Sequence, residues 1–287
     1  MHPRADFALT FADSTTMTLG LRTRVMGVLN VTPDSFSDGN LYPDLASALE
    51  TAHRMVEEGA DIIDVGGEST RPGATPVDET EEINRVVPVI EGIKKDLDVR
   101  VSLDTRKAGV ARSAIGAGAD MINDVSALQD RAMLPLLRET GTPVVLMHMR
   151  GEPRTMQRET RYEDISAEVA GFLQDCSATA SAAGLPDDKI LIDPGIGFGK
   201  SATGNLTLLN KLPALAQIGR PILIGASRKS FIGTILDLPV EDRLEGSLAV
   251  AAFVAAQGAH IVRAHDVRAT LRVVRVIDAI RSTQRAD

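Results

Sequence analysis

The 287-residue sequence predicts a single (β/α)8 TIM barrel with a short N-terminal extension, and three observations predict it. Eight short β-rich apolar runs alternate with segments of helical period. The runs are apolar almost throughout rather than at every second residue, as parallel strands buried on both faces are. Every run also closes on hydrogen-bonding or charged side chains, and a barrel of this kind gathers its chemistry at the carboxyl ends of its strands.

Residues 1–24 precede the first run and are expected to form a small hairpin that caps the bottom of the barrel, which then occupies 25–287. The first strand, VMGVLNV (25–31), closes at Asn30. Leu45, Ala48, Leu49 and Ala52 then recur at helical spacing. DIIDVGG (61–67) carries Asp64, and a helix with Ile83, Val86, Val87 and Ile90 follows. VRVSLDT (99–105) closes at Asp104, DMINDVS (120–126) at Asn123-Asp124, and PVVLMHM (143–149) at His148. Ile165, Val169, Phe172 and Leu173 mark the next helix, with the single Cys176 in phase on its apolar face. KILIDPG (189–195) closes at Asp193, and PILIGAS (221–227) runs into Ser227-Arg228-Lys229. Segment 227–257 reads as two helices before HIVRAHD (260–266), which bears Arg263 and His265 two apart on one strand. Val273, Val276, Ile277 and Ile280 belong to the last helix. Gly59, Gly118, Gly141, Gly184, Gly219 and Gly258 each stand just before a strand, where a left-handed helix end favours glycine. No linker interrupts the pattern, so one domain is expected.

Composition removes several function classes. The net charge of −8 disfavours a general nucleic-acid or anionic-membrane binder, and with no Trp, two Tyr and seven Phe a stacking platform for single strands is poorly supplied. One cysteine excludes an internal disulfide, and no His/Cys spacing suggests zinc. No apolar run approaches membrane-spanning length, and 1–24 makes a poor leader peptide, so a cytoplasmic protein is expected.

IDPGIGFGKS (192–201) ends like a phosphate-cradling loop, but Pro194 stands where the first glycine of such a loop belongs. Proline offers no N–H and fixes φ. Asp193 therefore reads as a strand-end acid whose glycines let backbone approach a flat ligand, and Lys200 as a solvated loop charge. Acids inside the apolar runs IIDVGG, VSLDT and LIDPG need donors, because a buried unpaired carboxylate is costly. A ligand bearing N–H groups would supply them.

Eight motifs in chain order carry a resemblance: VMGVLNVTPDSFSDG, IIDVGGESTRPGA, VSLDTRK, INDV, LMHM, LIDPGIGFGK, IGASRKSFIG and IVRAHDV. Together they resemble the dihydropteroate synthase family of folate biosynthesis, from Val25 to the last helix. The resemblance implies condensation of 6-hydroxymethyl-7,8-dihydropterin pyrophosphate with 4-aminobenzoate, and a sulfonamide target. It implies a pterin pocket of Asp104, Asn123, Asp193 and Lys229, with Met147, Phe198 and Gly225 among the substrate-binding residues. It implies that pyrophosphate lies across Thr70, Arg263 and His265 with Mg2+ on Asn30, and that aminobenzoate meets Ser230, Arg71, Pro72 and Phe198. Asp104, Lys229, Arg263 and His265 would be catalytic, and Asp34, Phe36 and Asp38 would belong to a lid loop. A homodimer through the late helices is a further implication. Two other readings are a pterin-binding methyltransferase domain, which lacks the SRKS and STRPG elements found here, and a non-catalytic pterin-binding paralogue.

Overall fold

The apolar runs become strands and the periodic segments helices in a computed structural model that describes residues 1–32, 45–69 and 73–284. β1 (Phe7–Thr10) and β2 (Thr16–Leu19) pair antiparallel. Eight parallel strands follow: β3 (Arg24–Asn30), β4 (Ile62–Gly66), β5 (Arg100–Asp104), β6 (Met121–Asp124), β7 (Val144–Met147), β8 (Ile190–Asp193), β9 (Leu223–Gly225) and β10 (Ile261–Ala264). Sheet neighbours are sequence neighbours from β3 to β8, and β10 pairs with both β3 and β9. The ring closes between β8 and β9 by one parallel bridge, Ile192 with Ile222, and by Ile192 N donating to Pro221 O at 3.0 Å. β4, β6, β7 and β8 are buried at every position, which explains their unbroken apolar runs.

The helices are α1 (Leu45–Glu57), α2 (Glu79–Asp96), α3 (Ala108–Gly116), α4 (Met133–Thr140), α5 (Ile165–Ala182), α6 (Ala202–Asn210), α7 (Leu212–Leu215), α8 (Ser230–Leu236), α9 (Leu244–Gln257) and α10 (Val267–Ser282). Side-chain caps fix several starts: Asp78 accepts from Glu81 N, Asp164 from Ser166 N and Ala167 N, and Ser201 from Gly204 N. All six glycines expected before strands have positive φ. α10 differs in its buried face. Val267, Leu271 and Val274 pack inward, while Val276 and Ile280 of the expected stripe are 60% and 49% exposed.

Alternate residues of a strand point to the same side. The lower inward layer is apolar: Met26, Ile62, Met121, Val145, Leu191, Leu223 and Ile261 pack with Leu9, Phe11 and Leu19 from the hairpin region. Two to four residues further along each strand, the last inward positions are Asn30, Gly66, Asp104, Asn123, Met147, Asp193, Gly225 and Arg263. Pattern alone thus delivers one end of the barrel to polar residues, and leaves the other closed by hydrocarbon.

Candidate active site

Every one of those last inward positions except Gly66 is a residue singled out in the sequence. Arg263 is their hub. Its Nε donates to Asp64 Oδ2 at 2.6 Å and its Nη2 to Asp104 Oδ2 at 2.8 Å. Asn123 Nδ2 donates to the same Asp64 Oδ2 at 3.2 Å. Two glycines border this cluster. A Cβ on Gly66 would lie 3.6 Å from Asp104 Cβ and 3.7 Å from Asn30 Oδ1. A Cβ on Gly225 would lie 3.6 Å from Arg263 Cδ.

Asp193 accepts from Gly195 N at 2.7 Å and so shapes the loop that follows it. That loop carries Phe198, packed with Val125, Met147, Met149 and Met156. Lys229 Nζ stands 3.9 Å from the centre of the Phe198 ring, within cation–π reach. Lys229 also caps α8, whose first residue, Ser230, is exposed. His265 lies one residue beyond β10, which ends at Ala264, and not on the strand with Arg263 as the spacing suggested. Its Nδ1 is 3.1 Å from Ser227 Oγ, in the connection after β9.

The electrostatics follow from burial. Burial pushes the Asp104 carboxyl up to about 7; Arg263 opposes the rise, while Asp64 and Glu82 add to it. Burial likewise raises Asp193 to about 6, against its bond from Gly195 N and the charges of Lys229, Lys200 and Arg263. Burial would discharge Arg263, but Asp64 and Asp104 more than offset this and keep it protonated. Burial, then Arg263, lower His265 to about 4, so its imidazole is neutral at pH 7. The Cys176 thiol is pushed up to about 11 by burial, as an inert cysteine should be.

The cluster is short of donors. Asp64 Oδ1, Asp104 Oδ1 and Asn123 Oδ1 are all buried with no hydrogen-bond partner, as is Ser102 Oγ. Buried acceptors are normally satisfied, so three such oxygens on adjacent strands ask for a ligand edge that donates.

Lys200 is a correction. It is 2% exposed, not solvated, and its nitrogen donates to Gly195 O (2.9 Å), Phe198 O (2.8 Å) and His148 O (3.2 Å), with His148 Nδ1 at 2.9 Å. The glycine-rich loop wraps around it, and burial lowers it to about 7. Asp64 is the residue that sequence reasoning noticed without giving it a task; its place two residues before the last inward position of β4 was the available signal. Asp34, Phe36 and Asp38, with Thr70, Arg71 and Pro72, lie outside the described residues.

A family model described as pterin binding enzyme matches residues 26–265. The dihydropteroate synthase of Escherichia coli K12 is 46% identical over 274 residues, 96% of this chain and 97% of that protein. The Xanthomonas albilineans dihydropteroate synthase with 4-aminobenzoic acid superposes with a TM-score of 0.90 at 44% identity, covering 96% of this chain and 99% of that one. The same enzyme in complex with 7,8-dihydropteroate gives 0.83 at 42% identity, covering 92% and 96%.

Proposed function

The chain belongs to the dihydropteroate synthases of the pterin-binding enzyme family, and from that premise we propose how its residues carry the reaction. It is a transferase that joins 6-hydroxymethyl-7,8-dihydropterin pyrophosphate to 4-aminobenzoate, forming 7,8-dihydropteroate and releasing pyrophosphate. The observation that carries this reading to the residues is the set of donor-starved oxygens on Asp64, Asp104 and Asn123 beside a charged Arg263. A dihydropterin edge presents an amide N–H and an amino group. Asp193 and Asn123 would bind that edge, Lys229 and Phe198 would clamp the ring, and Met147 and Gly225 would line its pocket.

The reaction begins with loss of the diphosphate from the pterin methylene, which leaves a cation spread into the ring. Negative Asp104 stabilises that cation, while Arg263 and neutral His265, as cation and hydrogen-bond donor, bind the departing anion with Thr70. The weakly basic amine then attacks the methylene carbon and gives up its proton to water, so no protein nucleophile is needed. Mg2+ would neutralise diphosphate charge. It suits this site, because Asn30, the last inward residue of β3, offers a neutral oxygen donor and Mg2+ favours oxygen ligands plus substrate phosphates. Aminobenzoate would sit toward Ser230, Arg71, Pro72 and Phe198, and the loop bearing Asp34, Phe36 and Asp38 would cover it.

The reading extends to the whole chain: 1–24 as an extension, 25–287 as the catalytic barrel, a cytoplasmic setting and a homodimer. No helix among the described residues is long and apolar enough to cross a membrane. Ile235, Phe253, Val276 and Ile280, exposed on α8, α9 and α10, support a dimer face there. Phe253→Glu should then halve the mass seen by light scattering; an unchanged mass would count against that face. Incubation with the pterin pyrophosphate, Mg2+ and 4-aminobenzoate, followed by chromatography, tests the activity itself. Dihydropteroate is the expected product, and its absence from well-folded protein would refute the assignment.

A further inference from the structure

Asp64 is closed off from solvent, yet two site residues end on it. Its side chain is fully buried midway along β4, in register with Ser102 of β5. One oxygen, Oδ2, accepts from Arg263 Nε and from Asn123 Nδ2 together. We propose that Asp64 is a positioning residue that selects the heterocycle: it turns the Asn123 carboxamide so that its oxygen faces the ligand, and holds the Arg263 guanidinium edge-on between two carboxylates. This rests on the pterin reading of the site.

The first half follows from what a carboxylate can do. Ionised, it only accepts, so the Asn123 atom that meets it must be the NH2 group. The Asn123 oxygen is then turned away, where it is buried without a partner. A ring that offers N–H at that place is accepted, and one that offers a lone pair meets a second acceptor and is rejected. Without the charge on Asp64 the carboxamide could rotate by half a turn and admit either ring.

The second half concerns Asp104. Asp64 and Asp104 share one guanidinium, through Nε and Nη2. The charges facing the Asp104 carboxyl are Arg263 from β10, Asp64 from β4, Glu82 from α2 and Lys229 from the β9–α8 connection. Burial, Asp64 and Glu82 favour its protonated form, and Arg263 and Lys229 its ionised form. Removing the Asp64 charge takes away a like neighbour and leaves Asp104 as the one ionised carboxylate hydrogen-bonded to Arg263 among the described residues. Both changes let Asp104 ionise at lower pH.

The test is Asp64→Asn in the full chain, assayed with the pterin pyrophosphate, Mg2+ and 4-aminobenzoate. kcat/KM for the pterin substrate should fall roughly tenfold to a hundredfold, while KM for 4-aminobenzoate changes less than about threefold. The acid limb of the kcat/KM profile should move to lower pH by on the order of one unit. A limb that stays in place, or equal losses for both substrates, would overturn the inference, since a merely structural role predicts these. Carboxyl 13C NMR of ligand-free protein, with the Asp104 signal assigned by its loss in Asp104→Asn, should show the same downward shift in Asp64→Asn without any turnover. This separates the two readings: wild type that makes no dihydropteroate defeats the assigned activity, whereas an unmoved Asp104 titration defeats the role of Asp64. If Asp64→Asn does not fold, wild type still decides. Its Asn123 side-chain amide protons should exchange at least tenfold more slowly than those of exposed Asn210, and equal rates would overturn the inference.

Discussion

Asp193 is 4% exposed, and burial raises its carboxyl to about 6 although Gly195 N, Lys229, Lys200 and Arg263 all favour the ionised form. Its folded pKa thus lies above the unfolded value of 3.8. The sign follows: the group contributes full stability below about pH 4, and that contribution is lost as pH rises through about 6. Asp193→Asn keeps an oxygen for Gly195 N and cannot ionise. Its thermal melts should match wild type near pH 4, rise above it from pH 4 to 6, and stay level beyond, a gain of up to about 3 kcal/mol. Binding of the pterin substrate should weaken in parallel if the Asp193 charge serves the ligand, as proposed, and not the fold. A melting difference that ignores pH would contradict burial as the cause. Asp193 was legible in the sequence because an acid inside LIDPG breaks an apolar run. Asp64 breaks IIDVGG in the same way. Its task was illegible because it depends on two partners, 59 and 199 positions away.

At the scale of elements, the connection from β8 to α6 shows how a loop is given one shape. Gly195, Gly197 and Gly199 all have positive φ, which glycine adopts at little cost. A side chain at Gly195 would collide with the His148 carbonyl, so the loop lies flat on the β7–α5 connection. Lys200 then takes up the carbonyls that face inward. Lys200→Met preserves length and removes the donors, leaving the Phe198 and His148 carbonyls without this partner and the Gly195 carbonyl with Phe198 N alone. The expected loss is about 3 kcal/mol or more in denaturant unfolding, because each orphaned group costs its desolvation. KM for the pterin substrate should also rise, since Phe198 loses the loop that holds it under Lys229. A variant as stable as wild type would show that the ammonium is not the staple. Sequence could not announce this. Lys200 sits between glycine and serine, where a surface charge is the ordinary reading, and only His148, 52 positions earlier, encloses it. α10 teaches the converse. Its 3.6-residue period was plain, but period gives a helix and not the side that the barrel covers.

For the molecule as a whole, the two ends of the barrel divide the labour. Eight apolar runs alternating with helical period made the barrel legible, and apart from Asp64 and Ser102 its buried polar strand residues stand near the strand ends. The last inward residue of seven strands was therefore a predicted site residue before any coordinate was known. The extension was legible as a hairpin capping the bottom, but not the residues it meets there, since that layer is assembled from seven strands distant in sequence. Phe11 and Leu19 enter that apolar end, and Arg100 lies over the Phe11 ring at 4.2 Å while pairing with Asp13 and Asp120. Phe11 is 3% exposed, so Phe11→Ala opens a cavity that the rigid ring of strands cannot collapse to fill. The expected cost is about 3–5 kcal/mol in denaturant unfolding. The residues around Arg263 stand at the opposite ends of the strands, so kcat and both KM values of the protein that remains folded should stay within about twofold of wild type. If activity per folded molecule fell in step with stability, the hairpin would be coupled to the mouth, and the separation of a structural bottom from a chemical top would not hold for this barrel.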